Sequence, residues 1–437
     1  MRACIKLRKS LNVTACLKLQ QTLIRRTYAA ASTSQTINQL PAYPGADIKY
    51  TPTLTSKSSY PTIETFRILN PEGEIEPGAT DPNLSRETCL KIYQSMVLTE
   101  IMDSLLYESN RHGRIGFYMS SSGEEAVAVA SAAALKKDDH IISSAREQGS
   151  LVYLGFELKR IVGQAFANEA DLGKGRQMPV HYTSKDLHFH PVSSPMGSQP
   201  PHGAGVGYAL KRSKKDACCI CFFGDGAASQ GDFHAAVNMA AVHGSRTIFL
   251  CRNNGFSIST RTTEQYIGDG VAARGIALGV ETMRVDGNDP LAVYSVVSKA
   301  RKLTVSENRP ILVEAMTYRL SHHSTSDDST VYRPQSEIDL FKQLSPILRF
   351  KKYIARVHGW TDSDESILQQ TSRKRVMEAL AEDDSLMRPE INDLFTDVYD
   401  TVPANLKEQR QELRDMFAVS PVLRQEAERH RGGSDAL

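Results

Sequence analysis

The chain has 437 residues, of which 41% are hydrophobic and 23% charged, with a formal net charge of +2. That is enough apolar material for a sizeable core, and the near-neutral balance argues against a nucleic-acid partner or a bulk acidic one. No segment approaches the roughly 18 uninterrupted apolar residues of a membrane helix, and of the seven cysteines the cluster Cys218, Cys219 and Cys221 lies within an apolar strand and reads as reduced core residues rather than a metal site.

In chain order, the first 46 residues carry Arg2, Lys6, Arg8, Lys9, Lys18, Arg25 and Arg26 and no acid; the first carboxylate is Asp47. Interleaved cations and apolar residues predict a mitochondrial transit peptide, because the scattered charges deny the unbroken apolar stretch of a secretory signal. Arg26-Thr27-Tyr28 followed by Ala29 marks the expected processing point. Residues 47–85, polar and proline-containing, predict an extended arm. Residues 86–345 predict an α/β body with strands at His140 to Ser144, Ala217 to Phe223, Arg246 to Cys251, Glu281 to Val285 and Pro310 to Thr317. Helical patterns fall between these strands, as in a doubly wound parallel sheet. Residues 346–437 are charged and predict a helical region whose Leu, Met and Val spacing allows docking.

Gly224 to Gly255 carry the densest chemistry. An apolar strand delivers Asp225 at its end, a helix returns, and a second strand delivers Asn253 and Asn254. Ligands of a parallel sheet sit beyond the carboxyl ends of its strands, where free N–H groups point outward. Gly224 and Gly226 permit a tight turn and close backbone approach. Asp225 supplies a hard anionic oxygen and Asn254 a neutral one, and a backbone carbonyl just beyond completes the protein's share of a Mg²⁺ shell, with diphosphate oxygens and water filling the rest. Arg252 stands in position to meet the phosphates. Gly-Asp-Gly or Asn-Asn-Gly alone is an ordinary turn; the pair, each half following an apolar strand, is far more specific.

A second cluster, SHHSTSDDS (Ser321 to Ser329), follows the strand ILVEAMTYR. Two imidazoles at a strand end can reach a bound cofactor and move protons near neutral pH, although a His pair in a polar loop is more often simply solvated.

The arrangement from Gly224 to Gly255 resembles the thiamine diphosphate motif. The chain as a whole, from about residue 61 to about 403, is similar to the alpha subunits of mitochondrial 2-oxo acid dehydrogenases, the branched-chain family most closely. GRIGFYM (Gly113 to Met119), GEEA (Gly123 to Ala126), DLGKGRQMPVHY (Asp171 to Tyr182), VSSP (Val192 to Pro195), EQYIGDG (Glu264 to Gly270), VDGND (Val285 to Asp289), EAMTYR (Glu314 to Arg319) and HHSTSDDS (His322 to Ser329) carry the likeness. The resemblance implies a thiamine diphosphate-binding fold and oxidative decarboxylation of branched-chain 2-oxo acids in the mitochondrial matrix. It also implies roles for single residues. His323 is the catalytic and phosphate-contacting histidine, Arg146 grips the diphosphate, and Arg252 is a second phosphate cation. Ser194, Gly226 and Ala227 contact the cofactor. Asp225, Asn254 and the Phe256 backbone oxygen hold Mg²⁺, and Ser193, Pro195, Ser198 and Gln199 form a K⁺ site. Ser324 is an inhibitory phosphorylation site; Pro334 replaces the second phosphorylated serine of animal members.

The glutamate that activates the cofactor belongs, in this family, to a separate pyrimidine-binding domain. The resemblance therefore implies a beta subunit in a two-alpha, two-beta heterotetramer that passes its acyl group to a lipoyl-bearing transacylase core, with a regulatory kinase and phosphatase. The chain departs from the family pattern near the site. Ser144-Ala145 replace Gln-Tyr, Ser122 replaces an aromatic, Thr183 and Ser321 replace glycine, and Gln230 replaces glutamate. Two other readings stay open on these residues: a pyruvate dehydrogenase alpha subunit, and a non-catalytic paralogue serving assembly or regulation.

Overall fold

The computed structural model describes residues 51–57, 61–383 and 385–437. The expected transit peptide lies outside them. The chain clusters into two units, residues 1–58 and residues 59–437. In the first, residues 51–57 are exposed.

The second unit is built on a six-stranded sheet. Its strands are β1 (Thr65–Phe66), β2 (His140–Ile142), β3 (Cys219–Gly224), β4 (Thr247–Asn253), β5 (Glu281–Asp286) and β6 (Ile311–Met316), in the spatial order β1-β5-β6-β4-β3-β2. Every neighbouring pair is parallel. β3 and β4 are apolar and buried along almost their whole length, the pattern of strands covered on both faces. Helices Glu125–Ala134 and Pro290–Glu307 are joined by Gln199–Arg212 and Gly231–His243 in filling the layers around the sheet. Gly203 and Gly207 let Gln199–Arg212 lie directly on the strands; a Cβ at Gly203 would stand 2.6 Å from that of Cys221.

Five strands lie where the hydrophobic runs predicted them, with ends shifted by a residue or two. β2 stops at Ile142, because Ser143 Oγ donates to Glu147 (2.6 Å) and Ser144 N–H does the same (2.7 Å), turning the chain away.

β1 was not expected. Residues 61–85 are pinned to the body: β1 pairs with β5, and the N–H groups of Ile68 and Leu69 donate to Asp289 at 2.7 and 2.6 Å. After residue 345, Phe350, Tyr353, Ile354, Val376 and Leu380 share one buried cluster with strand residues such as Ile220, Leu250 and Val313. A separate small cluster of Ile391, Phe395, Phe417, Ala427 and Leu437 holds the last helices together. Among the described residues no helix is long and apolar enough to cross a membrane.

Candidate active site

Four adjacent strands each send one group to the same end of the sheet. The turn after β2 carries Arg146, Asp225 directly follows β3, Asn254 directly follows β4, and the loop after β6 carries His323. They line one cavity of about 330 Å³, together with Ser193, Ser194, Gln199, Gly226, Ala227, Arg252 and Phe256. Pro195 and Ser198 lie behind it in the same loop, and Ser324 lies outside it.

Asp225 is almost completely buried, and burial raises its pKa, against the hydrogen bond from Gln265. Its Oδ2 accepts from Gln265 Nε2 at 2.8 Å, whereas Oδ1 is buried without any partner. An orphaned carboxylate oxygen in the interior is costly, and here it faces a cavity that also holds Asn254. Asn254 donates through Nδ2 to Glu124 (2.9 Å), and its Oδ1 accepts from Phe256 N–H (3.2 Å). One hard carboxylate, one amide oxygen and nearby backbone fit an oxygen-ligated Mg²⁺. Among the described residues no set of three His, Cys, Asp or Glu side chains is arranged for a metal, and the Mg²⁺ set expected here contains only one such side chain. At Gly226 a Cβ would fall 2.3 Å from Ser257 Oγ, so glycine lets the two loops close together.

The cationic side of the cavity is less balanced. Arg146 is buried and held by the Ser120 carbonyl and by the His323 carbonyl (2.6 Å). Burial lowers its pKa to about 10, with Glu124 opposing and Arg252 and Arg319 adding to the drop. Arg319, fully buried, reaches His323 Nδ1 at 3.2 Å and leaves its Nε without a partner. Burial, then the charges of Arg146 and Arg319, pull His323 down to about 3. Such a cluster fits an anion. Of the two adjacent histidines only His323 lines the cavity; His322 Nδ1 instead accepts from Ser329 N–H at 3.0 Å.

Arg252 sits at the cavity wall, with its guanidinium anchored through three of its five N–H groups. It donates to Glu147 (2.6 Å), Glu124 and Ser144 Oγ (2.7 Å). Burial raises the Glu124 pKa, but Arg252 and Arg146 outweigh it and hold the carboxyl below its usual range. Ser144, one of the departures noted above, thus has a partner inside this network. Ser194 Oγ lies 2.7 Å from His181 Nε2, while His181 Nδ1 lies 3.0 Å from the Pro179 carbonyl, so Nδ1 donates and Nε2 accepts from the serine. The loop Ser193–Gln199 folds on itself: Gln199 Nε2 donates to the Ser193 carbonyl (2.7 Å) and Ser198 Oγ to that of Pro195 (2.8 Å).

Sequence reasoning assigned no role to Arg319, His181, Glu124, Glu147 or Gln265. Arg319 stood in the open, as a cation just past a predicted strand. The others act through partners as far as 130 residues away, which no local pattern reveals.

A doubly wound parallel sheet with a carboxylate-amide pair and an anion-receptive cluster at its carboxyl end has the donor set and the charge that a metal-bridged phosphate ligand needs. The model of the dehydrogenase E1 component family matches residues 93–392, and the chain belongs to that family. It is 44% identical over 382 residues to 2-oxoisovalerate dehydrogenase subunit alpha 1, mitochondrial, of Arabidopsis thaliana, covering 87% of this chain and 81% of that one. It is 43% identical to 2-oxoisovalerate dehydrogenase subunit alpha, mitochondrial, of Homo sapiens over 416 residues, covering 93% and 94%. The protein of that name from Dictyostelium discoideum is 45% identical over 377 residues, 86% of each chain.

Proposed function

We propose that this chain is the alpha subunit of a branched-chain 2-oxo acid dehydrogenase, working with thiamine diphosphate and Mg²⁺ in the mitochondrial matrix. The observation that carries the reading is the unpartnered Asp225 Oδ1, buried beside Asn254 in a cavity that also receives Arg146 and His323. Asp225, Asn254 and the Phe256 carbonyl would hold the metal, and Arg146, Arg252 and Arg319 would face the diphosphate. Ser194, Gly226 and Ala227 would meet the rest of the cofactor. Bound there, thiamine diphosphate supplies the electron sink that decarboxylation requires. This chain would bind and orient it, exclude water, and present His323, whose low proton affinity beside Arg146 and Arg319 an anionic diphosphate would raise toward proton exchange. Oxygens of Ser193, Pro195, Ser198 and Gln199 suit a K⁺ that would stiffen the adjoining loop.

Asp225 is the sole carboxylic acid among the described residues lining the cavity, and as a metal ligand it is not free to activate the pyrimidine. That supports a beta subunit supplying the missing acid; the family resemblance adds a lipoyl-bearing core to receive the acyl group and a kinase and phosphatase acting at Ser324. The second reading, a non-catalytic assembly or regulatory subunit, is favoured by Ala145, which offers no hydroxyl to a diphosphate. Co-expression with a beta subunit, followed by decarboxylation of 3-methyl-2-oxobutanoate and pyruvate with cofactor and Mg²⁺, tests both. Turnover of the branched-chain acid well above pyruvate is expected. No turnover at saturating cofactor would leave the second reading, and a preference for pyruvate would move the substrate class.

A further inference from the structure

We infer that Gln265 is a positioning residue for the metal, clamping one oxygen of Asp225 so that the other alone is presented to the cation. The inference rests on the metal reading above and extends it to a residue with no role in that reading.

The orientation of the Gln265 amide is settled by its surroundings. Its Nε2 lies 2.8 Å from Asp225 Oδ2 and 3.2 Å from the Thr260 carbonyl, both acceptors only, while its Oε1 accepts from Ser229 Oγ at 3.1 Å. Reversing the amide would set oxygen against two oxygens and lose both of those bonds. Asp225 therefore has one oxygen fixed by a donor and one, buried, with no protein partner. A carboxylate so divided offers a single ligand atom, which suits the strict octahedral geometry of Mg²⁺. Partners of this kind fix ligand orientation, and losing them typically costs about 10- to 100-fold in metal affinity.

The backbone places Gln265 for the task. Phe256–Ser257 and Thr260–Arg261 form a short antiparallel pair, and the single turn Thr262–Gln265 follows at once. The same hairpin thus carries Phe256, beside Asn254, and the clamp on Asp225. Ser257 closes against Gly226, so the hairpin packs directly on the end of β3. Asn254 has the matching arrangement, with Glu124 holding its Nδ2 at 2.9 Å.

The test measures Mn²⁺ affinity by electron paramagnetic resonance on the chain purified with its beta subunit, at saturating thiamine diphosphate. The variants are Gln265→Met, Ser229→Ala and Asp225→Ala. Gln265→Met keeps the length and removes the donor. It should weaken Mn²⁺ binding fivefold or more and recover at high Mn²⁺. Ser229→Ala should shift affinity in the same direction by less. A change below fivefold in Gln265→Met overturns the inference. So does a lower metal-free melting temperature without recovery at high Mn²⁺, which would make Gln265 a scaffold residue. If Asp225→Ala binds Mn²⁺ like the parent, the metal reading itself falls; loss there with an unaffected Gln265→Met sinks the clamp alone.

Discussion

The Arg146 guanidinium donates to the backbone carbonyl of His323 at 2.6 Å and lies 3.2 Å from that residue's Nδ1, so a buried cation holds the imidazole in place and keeps a second positive charge off it. An imidazole in the unfolded chain takes its proton near 6.5, whereas His323 in the fold does so near 3. Between those values the unfolded state binds the extra proton. His323 therefore subtracts stability as pH falls through that window and subtracts none above it. Histidine-labelled NMR should find this ring neutral at pH 5. Adding thiamine diphosphate, whose anionic charge opposes the two arginines, should move its titration upward. His323→Gln should flatten part of the acid-side loss of stability.

Glu124 and Glu147 enclose Arg252 with side chains almost wholly inaccessible. Removing one partner of a buried pair leaves charge uncompensated, at a typical cost of about 3–5 kcal/mol. Glu147 remains after Glu124→Ala, so the expected loss is near the lower figure. Denaturant unfolding checks it, and because Glu124 also holds Asn254, metal affinity should fall in the same variant.

Ala145 sits at φ 76°, in the left-handed region. A side chain there costs roughly 1–2 kcal/mol, part of which glycine's greater chain entropy takes back. Ala145→Gly should stabilise the fold by about 0.5–1 kcal/mol, read from the denaturation midpoint. Installing Gln and Tyr at 144 and 145 should do something different. A hydroxyl reaching a charged diphosphate contributes about 1.5–3 kcal/mol, so calorimetry should show cofactor binding about tenfold tighter or more.

Ser324 is buried, and its Oγ accepts from Ser326 N–H at 3.3 Å. Next to it, Thr325 N–H donates to the Tyr118 carbonyl at 3.0 Å, and Asp327 accepts from both His323 N–H and Tyr332 Oη. A phosphate bringing about −1.5 to −2 charges has no room in this closed loop. Ser324→Glu should lose complex activity while staying folded and bound to the beta subunit, with faster proteolysis between 320 and 330. Ser324→Ala should remain largely active.

The strands that frame the site were legible because parallel strands buried on both faces read as plain apolar runs, and Cys219–Gly224 and Thr247–Asn253 are such runs. Asp225 and Asn254 could be placed because each ends one of them. β1 was illegible: two residues show no periodicity, and its partner β5 begins more than 200 residues later. The anchoring of Arg252 was equally hidden, since Glu124 and Glu147 come from two turns of the chain that only the folded structure brings together. Sequence showed a cation beside the Asn pair but not the two buried carboxylates that hold it.

Cys218, Cys219 and Cys221 in and beside β3, and Cys251 in β4, are free thiols with no exposed surface, and burial pushes each one's pKa upward. An alkylating reagent in solution meets none of them while the two central strands stay joined. The speed at which they are captured therefore records how often the middle of the sheet parts, an internal clock for kinetic persistence. Because Asp225 and Asn254 terminate those same strands, a ligand bridging the two would slow that clock.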